Sequence, residues 1–98
     1  MTKYSVDGYV VDVLMRDLAG HEKSPSAFLV YMYLWTRTAG LHKQSARLSL
    51  QRLAENTGVS KSAVQAAIRL LKRRRLVGGH RAHRTAVPEY AVRMPWRR

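Results

Sequence analysis

Apolar positions recur three or four residues apart along most of the chain, a pattern that predicts a mainly helical fold. The first predicted helix runs from about Gly8 to Ala19, with Asp7 as its N-cap and Gly20 as its stop. Four side chains form its apolar stripe: Val11, Leu14, Met15 and Leu18.

The second predicted helix runs from Pro25 to about Ala39. Ser24 before Pro25 favours a helix start, because proline at the first position has no N–H that needs an intrahelical partner. Gly40 is the predicted stop. Residues 28–35 are apolar or aromatic on every side, so most sides of this helix must be buried. The helix is therefore either the central element of the domain or part of a dimer interface.

Two shorter helices follow a polar loop over residues 42–47 and a short strand over residues 47–50. Ser49 is predicted to cap a helix from Leu50 to about Thr57, which Gly58 ends because glycine readily adopts the left-handed conformation. Val59 is then expected to be buried, and Ser60 to cap a fourth helix from Lys61 to about Arg73.

The fourth helix has two distinct faces. Taking about 100° per residue, its core stripe spans roughly 100° of arc and consists of Val64, Ala67, Ile68 and Leu71. The opposite face carries small, amide and guanidinium side chains: Ser62, Gln65, Ala66, Arg69 and Arg73.

A basic hairpin is predicted after this helix. Leu76 and Val77 begin a strand, and the glycines at 78 and 79 permit a bulge or sharp bend. Residues 80–86 form a basic loop, and residues 87–94 form the return strand. Pro88 lacks an N–H and belongs at the start or the exposed edge of that strand.

The charge distribution changes this picture from a small helical domain to one with a cationic surface. The 98 residues suit one domain and include 18 Lys and Arg against 6 Asp and Glu, a net charge of +12. Residues 1–45 carry five basic and four acidic groups, net +1, whereas residues 46–98 carry thirteen and two, net +11. Nucleic acid is the commonest partner of such a surface, and an anionic membrane is the second.

The composition gives little support to a membrane-spanning protein, a secreted protein, an enzyme or a metal-binding protein. The chain has no cysteine, and its longest apolar run, residues 27–35, is too short for a bilayer that needs about 20 residues. No signal peptide, nucleophile motif, phosphate loop or metal-ligand set is present, so we expect a cytoplasmic, nucleoid-associated protein that is not an enzyme and needs no cofactor. Asp12 and Asp17 are five residues apart and do not share a helix face.

The stretch from Leu48 to Val77 resembles the winged helix-turn-helix of bacterial regulators, particularly the GntR-like modules. The resemblance is carried by Ala54 at the helix crossing, Gly58 at the turn, three core positions and the wing glycines; the core positions are Val59, Val64 and Ile68. It implies a mainly α fold with a small β-hairpin wing. The single domain 1–98 would comprise a helical support (1–45), the helix-turn-helix (46–77), the wing hairpin (76–94) and a basic tail (95–98).

The sequence departs from this family in two respects. Arg75 occupies a position where such modules often have glycine, so either Arg75 adopts a left-handed conformation or the helix ends differently. The chain also has no room for an effector domain, so no small-molecule effector is expected.

The resemblance implies that the fourth helix enters the major groove of DNA. The residues then expected to read bases are Lys61, Ser62, Gln65 and Arg69. Those expected to contact phosphates or form the wing are Arg47, Arg52, Ser60, Lys72, Arg73, Arg74, His80, Arg81, His83 and Arg84. The simpler alternatives are a solvated face for Ser62 and Gln65, and helix-dipole stabilisation for residues 72–75.

We therefore expect a sequence-specific or architectural binder of double-stranded DNA, such as a small bacterial or phage transcriptional regulator that dimerises through its N-terminal helices. One alternative is a replication or partition accessory protein with a partner surface on Tyr31 or Trp35. Another is a winged-helix module for protein interactions. Tyr31, Tyr33 and Trp35 could also stack on single-stranded bases, although their helical spacing favours packing in a core.

Overall fold

Four helices and a three-stranded antiparallel sheet make up residues 1–97, the part of the chain that the computed structural model describes. In chain order they are an N-terminal helix (residues 8–21), α1 (Pro25–Arg37), β1 (Ala46–Arg47), α2 (Leu50–Thr57), α3 (Lys61–Arg73), β2 (Val77–His80) and β3 (Glu89–Val92). The predicted mainly helical fold with a small hairpin is confirmed. Among these residues no helix is both long and apolar enough to cross a membrane.

α1 is the central element of the domain, which was one of the two arrangements predicted for this helix. It packs against the N-terminal helix, α2, α3 and β3. Its buried side chains are Ala27, Val30, Tyr31, Leu34 and Trp35. The Tyr31 hydroxyl donates to the Arg93 carbonyl at 3.2 Å, and burial raises the pKa of this phenol well above its ordinary value. The prediction of a stacking platform or a partner surface on Tyr31 or Trp35 is therefore wrong, because neither ring is accessible.

Both ends of α1 depend on polar side chains. The Ser24 Oγ accepts a hydrogen bond from the Ala27 N–H at 3.2 Å, which confirms the predicted N-cap before Pro25. The predicted stop at Gly40 is wrong. The helix ends at Arg37, where the Thr38 hydroxyl donates to the Leu34 carbonyl at 2.7 Å, and a 3-10 turn over Ala39–Leu41 follows.

The N-terminal helix differs from its predicted form because two stretches, Val10–Leu14 and Asp17–His21, have π-type hydrogen bonds. The wider turn keeps residues four apart in line, so the buried row is Val10, Leu14 and Leu18. The predicted stripe was therefore wrong at Val11 and Met15, which are exposed. The helix also continues past Gly20, the predicted stop, to residue 21.

Asp7 does not act mainly as the predicted N-cap of this helix. Its carboxylate accepts hydrogen bonds from the Trp96 indole N–H at 2.8 Å and the Arg97 Nε at 2.9 Å, and these hold the pKa of Asp7 below its ordinary value. The contact from its Oδ1 to the Tyr9 N–H is long, at 3.5 Å. The predicted basic tail is thus docked on the N-terminal segment at Trp96 and Arg97, while Arg98 lies outside the described residues.

α2 and α3 have the predicted bounds because their ends are set by local chemistry. The Ser49 and Ser60 hydroxyls accept from the N–H groups of Arg52 and Ala63 at 3.1 and 3.2 Å. Gly58 ends α2 in the left-handed conformation, with φ of 77°. All four predicted core residues of α3 are buried, and Leu70 joins them. Val59 is half-buried rather than fully buried.

The sheet has the order β1-β3-β2, with Tyr90 of β3 opposite Ala46 on one side and Gly79 on the other. β2 and β3 pair in regular register, so the predicted bulge or bend at the glycines is wrong. The strands are shorter than predicted. β3 begins only after Pro88, and β1 ends before Leu48, whose N–H donates a hydrogen bond to the Pro88 carbonyl, at 3.1 Å.

The end of α3 adopts a Schellman motif with Arg75 in the left-handed conformation, at φ of 57°. The Leu76 N–H donates to the Leu71 carbonyl at 2.9 Å, and the Arg75 N–H donates to the Lys72 carbonyl at 3.0 Å. Leu76 is buried, which supplies the apolar contact typical of the motif. The first of the two alternatives for Arg75 is therefore correct.

We expect Arg75→Gly to be more stable than Arg75→Ala by about 1 kcal/mol, because the left-handed conformation disfavours any residue with a Cβ. Both variants remove the guanidinium, so the comparison isolates the backbone. Urea unfolding at neutral pH measures the difference. Equal free energies of unfolding would contradict a left-handed Arg75 in solution.

Candidate nucleic-acid interface

The face of α3 turned away from the core is open along its whole length. Its exposed side chains are Lys61, Ser62, Gln65, Ala66, Arg69, Lys72 and Arg73. No acidic residue occurs in this helix, and the side chains of Gln65 and Arg69 make no hydrogen bond or ion pair to any residue in the range 1–97. Since Gln65 and Arg69 are four residues apart, an amide and a guanidinium lie on one helical row with unused donors.

The start of α3 carries two serines and a lysine. The Ser60 Oγ caps the helix and lies 3.3 Å from the Ser62 Oγ, so one of these hydroxyls donates to the other. Lys61 is exposed beside them. Hydroxyls, an ammonium group and free backbone N–H groups at a helix N-terminus form a favourable environment for an anion.

The loop between β2 and β3, residues 81–88, extends from the sheet; together with the two strands we call it the wing. Arg81 folds back, its Nη1 donating to the Arg84 carbonyl at 3.0 Å, and the Ala86 N–H donates to the His83 carbonyl at 3.0 Å. The Arg84 guanidinium is exposed and has no polar partner in the described chain. Arg84 is therefore the better placed of the two wing arginines to reach an external ligand.

A depression of about 680 Å³ lies between the wing loop and the start of α2, and we call it the wing cleft. It brings together four of the predicted phosphate or wing residues: Arg47, Arg52, His80 and His83. Glu89 is its one acidic residue, and its Oε2 accepts a hydrogen bond from the Ser45 hydroxyl at 3.0 Å. Side chains from three separate elements therefore converge into a cationic concavity. In the described chain no group of three metal-ligating side chains converges anywhere.

Lys72 links α3 to the wing. A Cβ at Gly79 would lie 2.8 Å from the Lys72 Nζ, so the ammonium group occupies the space that a side chain at position 79 would fill. Gly79 thus lets a cation of α3 lie against β2, and the surface of α3 continues onto the wing without a break.

Arg93 was not among the predicted site residues. A Cβ at Gly78 would lie 2.8 Å from its Nη2, so the Arg93 guanidinium lies across β2. Because Gly78 and Gly79 point to opposite faces of the strand, Arg93 and Lys72 lie on opposite sides of the sheet. The two adjacent glycines, interpreted as a bend, were the signal for these close approaches.

Arg74 has a structural role that the sequence did not reveal. Its guanidinium donates to the Asp17 Oδ2 and, at 3.0 Å, to the Glu22 Oε1, both in or just after the N-terminal helix. The hydrogen bond from Arg74 is the main cause of the lowered pKa of Asp17, and Asp17 in turn raises the pKa of Arg74. Arg74 is turned toward the support, so the expectation that it contacts phosphate loses its basis.

Comparison with known proteins identifies a family for the central part of the chain. A family model described as a helix-turn-helix domain matches residues 21–77, more than half of the 98 residues. The match spans α1, β1, α2 and α3 and includes every residue predicted to read bases. No curated protein and no solved structure matches the chain. The match does not distinguish a GntR-like subtype, which stays a prediction.

We expect Arg74→Ala to lower the free energy of unfolding by about 1 kcal/mol at pH 7, because two partly buried carboxylates lose their partner. The pKa of Asp17 is lowered in the folded state, so the stabilisation is present above its ordinary value of 3.8 and is lost as the pH falls below it. Urea unfolding at pH 7 and at lower pH should show the difference from the wild type shrinking.

Arg73→Ala is the matched control, since it removes the same charge one residue earlier from the exposed surface. It should leave stability almost unchanged. If Arg73→Ala and Arg74→Ala are equally stable at pH 7, the ion pairs of Arg74 contribute nothing.

Proposed function

Since this chain belongs to the helix-turn-helix domain family, we propose that it binds double-stranded DNA by placing α3 in the major groove. We propose further that it acts as a small transcriptional regulator or architectural DNA-binding protein of bacterial or phage type, associated with the nucleoid in the cytoplasm. The observation that supports this most directly is the exposed face of α3, which is free of acids and flanked by cations.

Four residues of α3 are proposed to read bases: Lys61, Ser62, Gln65 and Arg69. Gln pairs bidentately with adenine and Arg with guanine, and each such pair gives about 1–3 kcal/mol of discrimination. Ala66, exposed beside Gln65, has no bulk to hold the helix away from the base edges. Since Gln65 and Arg69 lie one turn apart, they would address neighbouring base pairs.

Phosphate contacts are proposed on both flanks of α3. Lys72 and Arg73 lie near the C-terminal end of the helix, and Ser60 lies at its start. Arg47 and Arg52, with His80 and His83, would hold a sugar–phosphate strand at the wing cleft. Arg84, with Arg81 behind it, would reach the adjacent minor groove, whose narrow A·T tracts attract guanidinium groups.

The alternative functions receive less support. A replication or partition accessory role would also use the proposed DNA surface, but its expected partner site on Tyr31 or Trp35 is buried. A module that binds only protein gives no reason for an acid-free helix face beside a cationic cleft.

Arg69→Ala should weaken binding to the preferred sequence by about 1–3 kcal/mol and relax the preference at one base pair. Selection of bound fragments from random duplex DNA supplies the site, and electrophoretic shift titration measures affinity. Arg93→Ala removes an exposed arginine from the other side of the sheet and should change affinity far less. Equal effects of the two variants would show that the wrong face of α3 has been placed in the groove.

Affinity should fall steeply with salt. If about 6 phosphates are neutralised, the slope of log affinity against log salt is about −5. Lys72→Ala and Arg52→Ala should each make that slope shallower by about 1 and weaken all sequences equally. A wild-type slope near zero would favour the protein-interaction alternative.

A further inference from the structure

The N-terminal helix exposes a second apolar row beside its buried one. Val10, Leu14 and Leu18 face the core, whereas Val11 and Met15, also four residues apart, have 47% and 41% of their surface exposed. Single exposed apolar residues are common. Here, however, the two lie one turn apart on the same element, so they form a continuous apolar strip.

The polar side chains next to this strip are one acid and one base. Asp12 and Arg16, four residues apart, are both exposed and have no hydrogen bond or ion pair within residues 1–97. The other five acidic residues of the chain all have a polar partner: Asp7, Asp17, Glu22, Glu55 and Glu89. Asp12 is thus an exception in a chain of net charge +12.

This surface is complementary to itself. When two copies of the helix lie antiparallel about a two-fold axis that crosses between residues 13 and 14, each row of one copy faces the same row of the other copy. The residues paired below then match the mirrored height to within one residue, about 1.5 Å of rise. Val11 then lies against Met15 of the second copy, and Asp12 lies against its Arg16. Had the row held two acids or two bases, the same arrangement would be repulsive.

We propose that residues 11–16 form the contact between two copies of this chain when they occupy inverted half-sites on one DNA duplex. This contact rests on the proposed DNA binding, to which it adds a second copy of the chain as the protein partner. Two helical turns bury less than the roughly 1,000 Å² of a stable interface, so the pair assembles on DNA rather than in dilute solution.

The size of the molecule and the ion pairs of Arg74 fit this arrangement. The described chain measures 36 × 30 × 29 Å, so two copies side by side have centres roughly 30 Å apart, close to the ~34 Å between half-sites one turn apart. Arg74 fixes the end of α3 to Asp17 and Glu22, so the contact surface and the reading helix move as one body.

The test compares the full chain on duplexes carrying one selected site and an inverted pair of sites one helical turn apart. The wild type should bind the second site of the pair about tenfold more tightly than an isolated site. Asp12→Arg and Arg16→Asp should each abolish that gain, and the double variant D12R/R16D should restore it. Affinity for the isolated site, measured for each variant, corrects for the altered charge.

Absence of cooperativity in the wild type, or failure of the double variant to recover it, would overturn the proposal. If the chain binds no duplex at all, the proposed function fails. A second measurement, made without DNA, then still tests whether residues 11–16 of two copies contact each other. The chain has no cysteine, so concentrated mixtures of Val11→Cys and Met15→Cys chains should form more disulfide-linked dimer than either chain alone. A mixture of Gln51→Cys and Glu55→Cys, exposed on α2 at the same spacing, is the control; equal yields would exclude the pairing.

Discussion

The packing of α3 against α1 is the interaction on which the rest of the molecule depends. Val64, Ala67, Ile68 and Leu71 fill the space beside α1, and burying each of the larger aliphatic side chains contributes about 1.5–3 kcal/mol. Rotating α3 by one residue would exchange part of this stripe for Arg69 and would bury an unpaired charge. The rotation of the helix is therefore fixed, and with it the exposure of Gln65 and Arg69.

The basic run after this stripe shows how helix geometry separates adjacent charges. Lys72 lies against Gly79 on the wing, Arg73 is in solvent, and Arg74 binds the carboxylates of the N-terminal helix. Arg75 follows in the left-handed conformation that ends the helix. Four consecutive cations thus have four different environments, which reduces their mutual repulsion and leaves only part of the run available to a polyanion.

The elements whose limits are set by nearby residues were predictable from the sequence. α2 and α3 have the predicted bounds because Ser49, Ser60 and Gly58 act within a few residues of themselves. The exposed face of α3 followed from the helical period for the same reason. The role of Arg74 was not predictable, because its partner Asp17 is 57 positions away and either residue alone suggests a solvated charge. The π-type turns of the N-terminal helix were likewise missed, since a regular helix was assumed.

The acidic residues explain why the positive charge is concentrated where it is. Asp7 binds Trp96 and Arg97, so a carboxylate of the N-terminal half offsets the positive charge of Arg97. Asp17 and Glu22 do the same for Arg74 at the base of α3. In the folded molecule, acidic residues of the nearly neutral first half therefore offset part of the positive charge of the second half, but only on the side of the N-terminal helix. On the α3 face and at the wing cleft no acid other than Glu89 offsets the cations in the described chain, so that surface keeps the attraction for a polyanion.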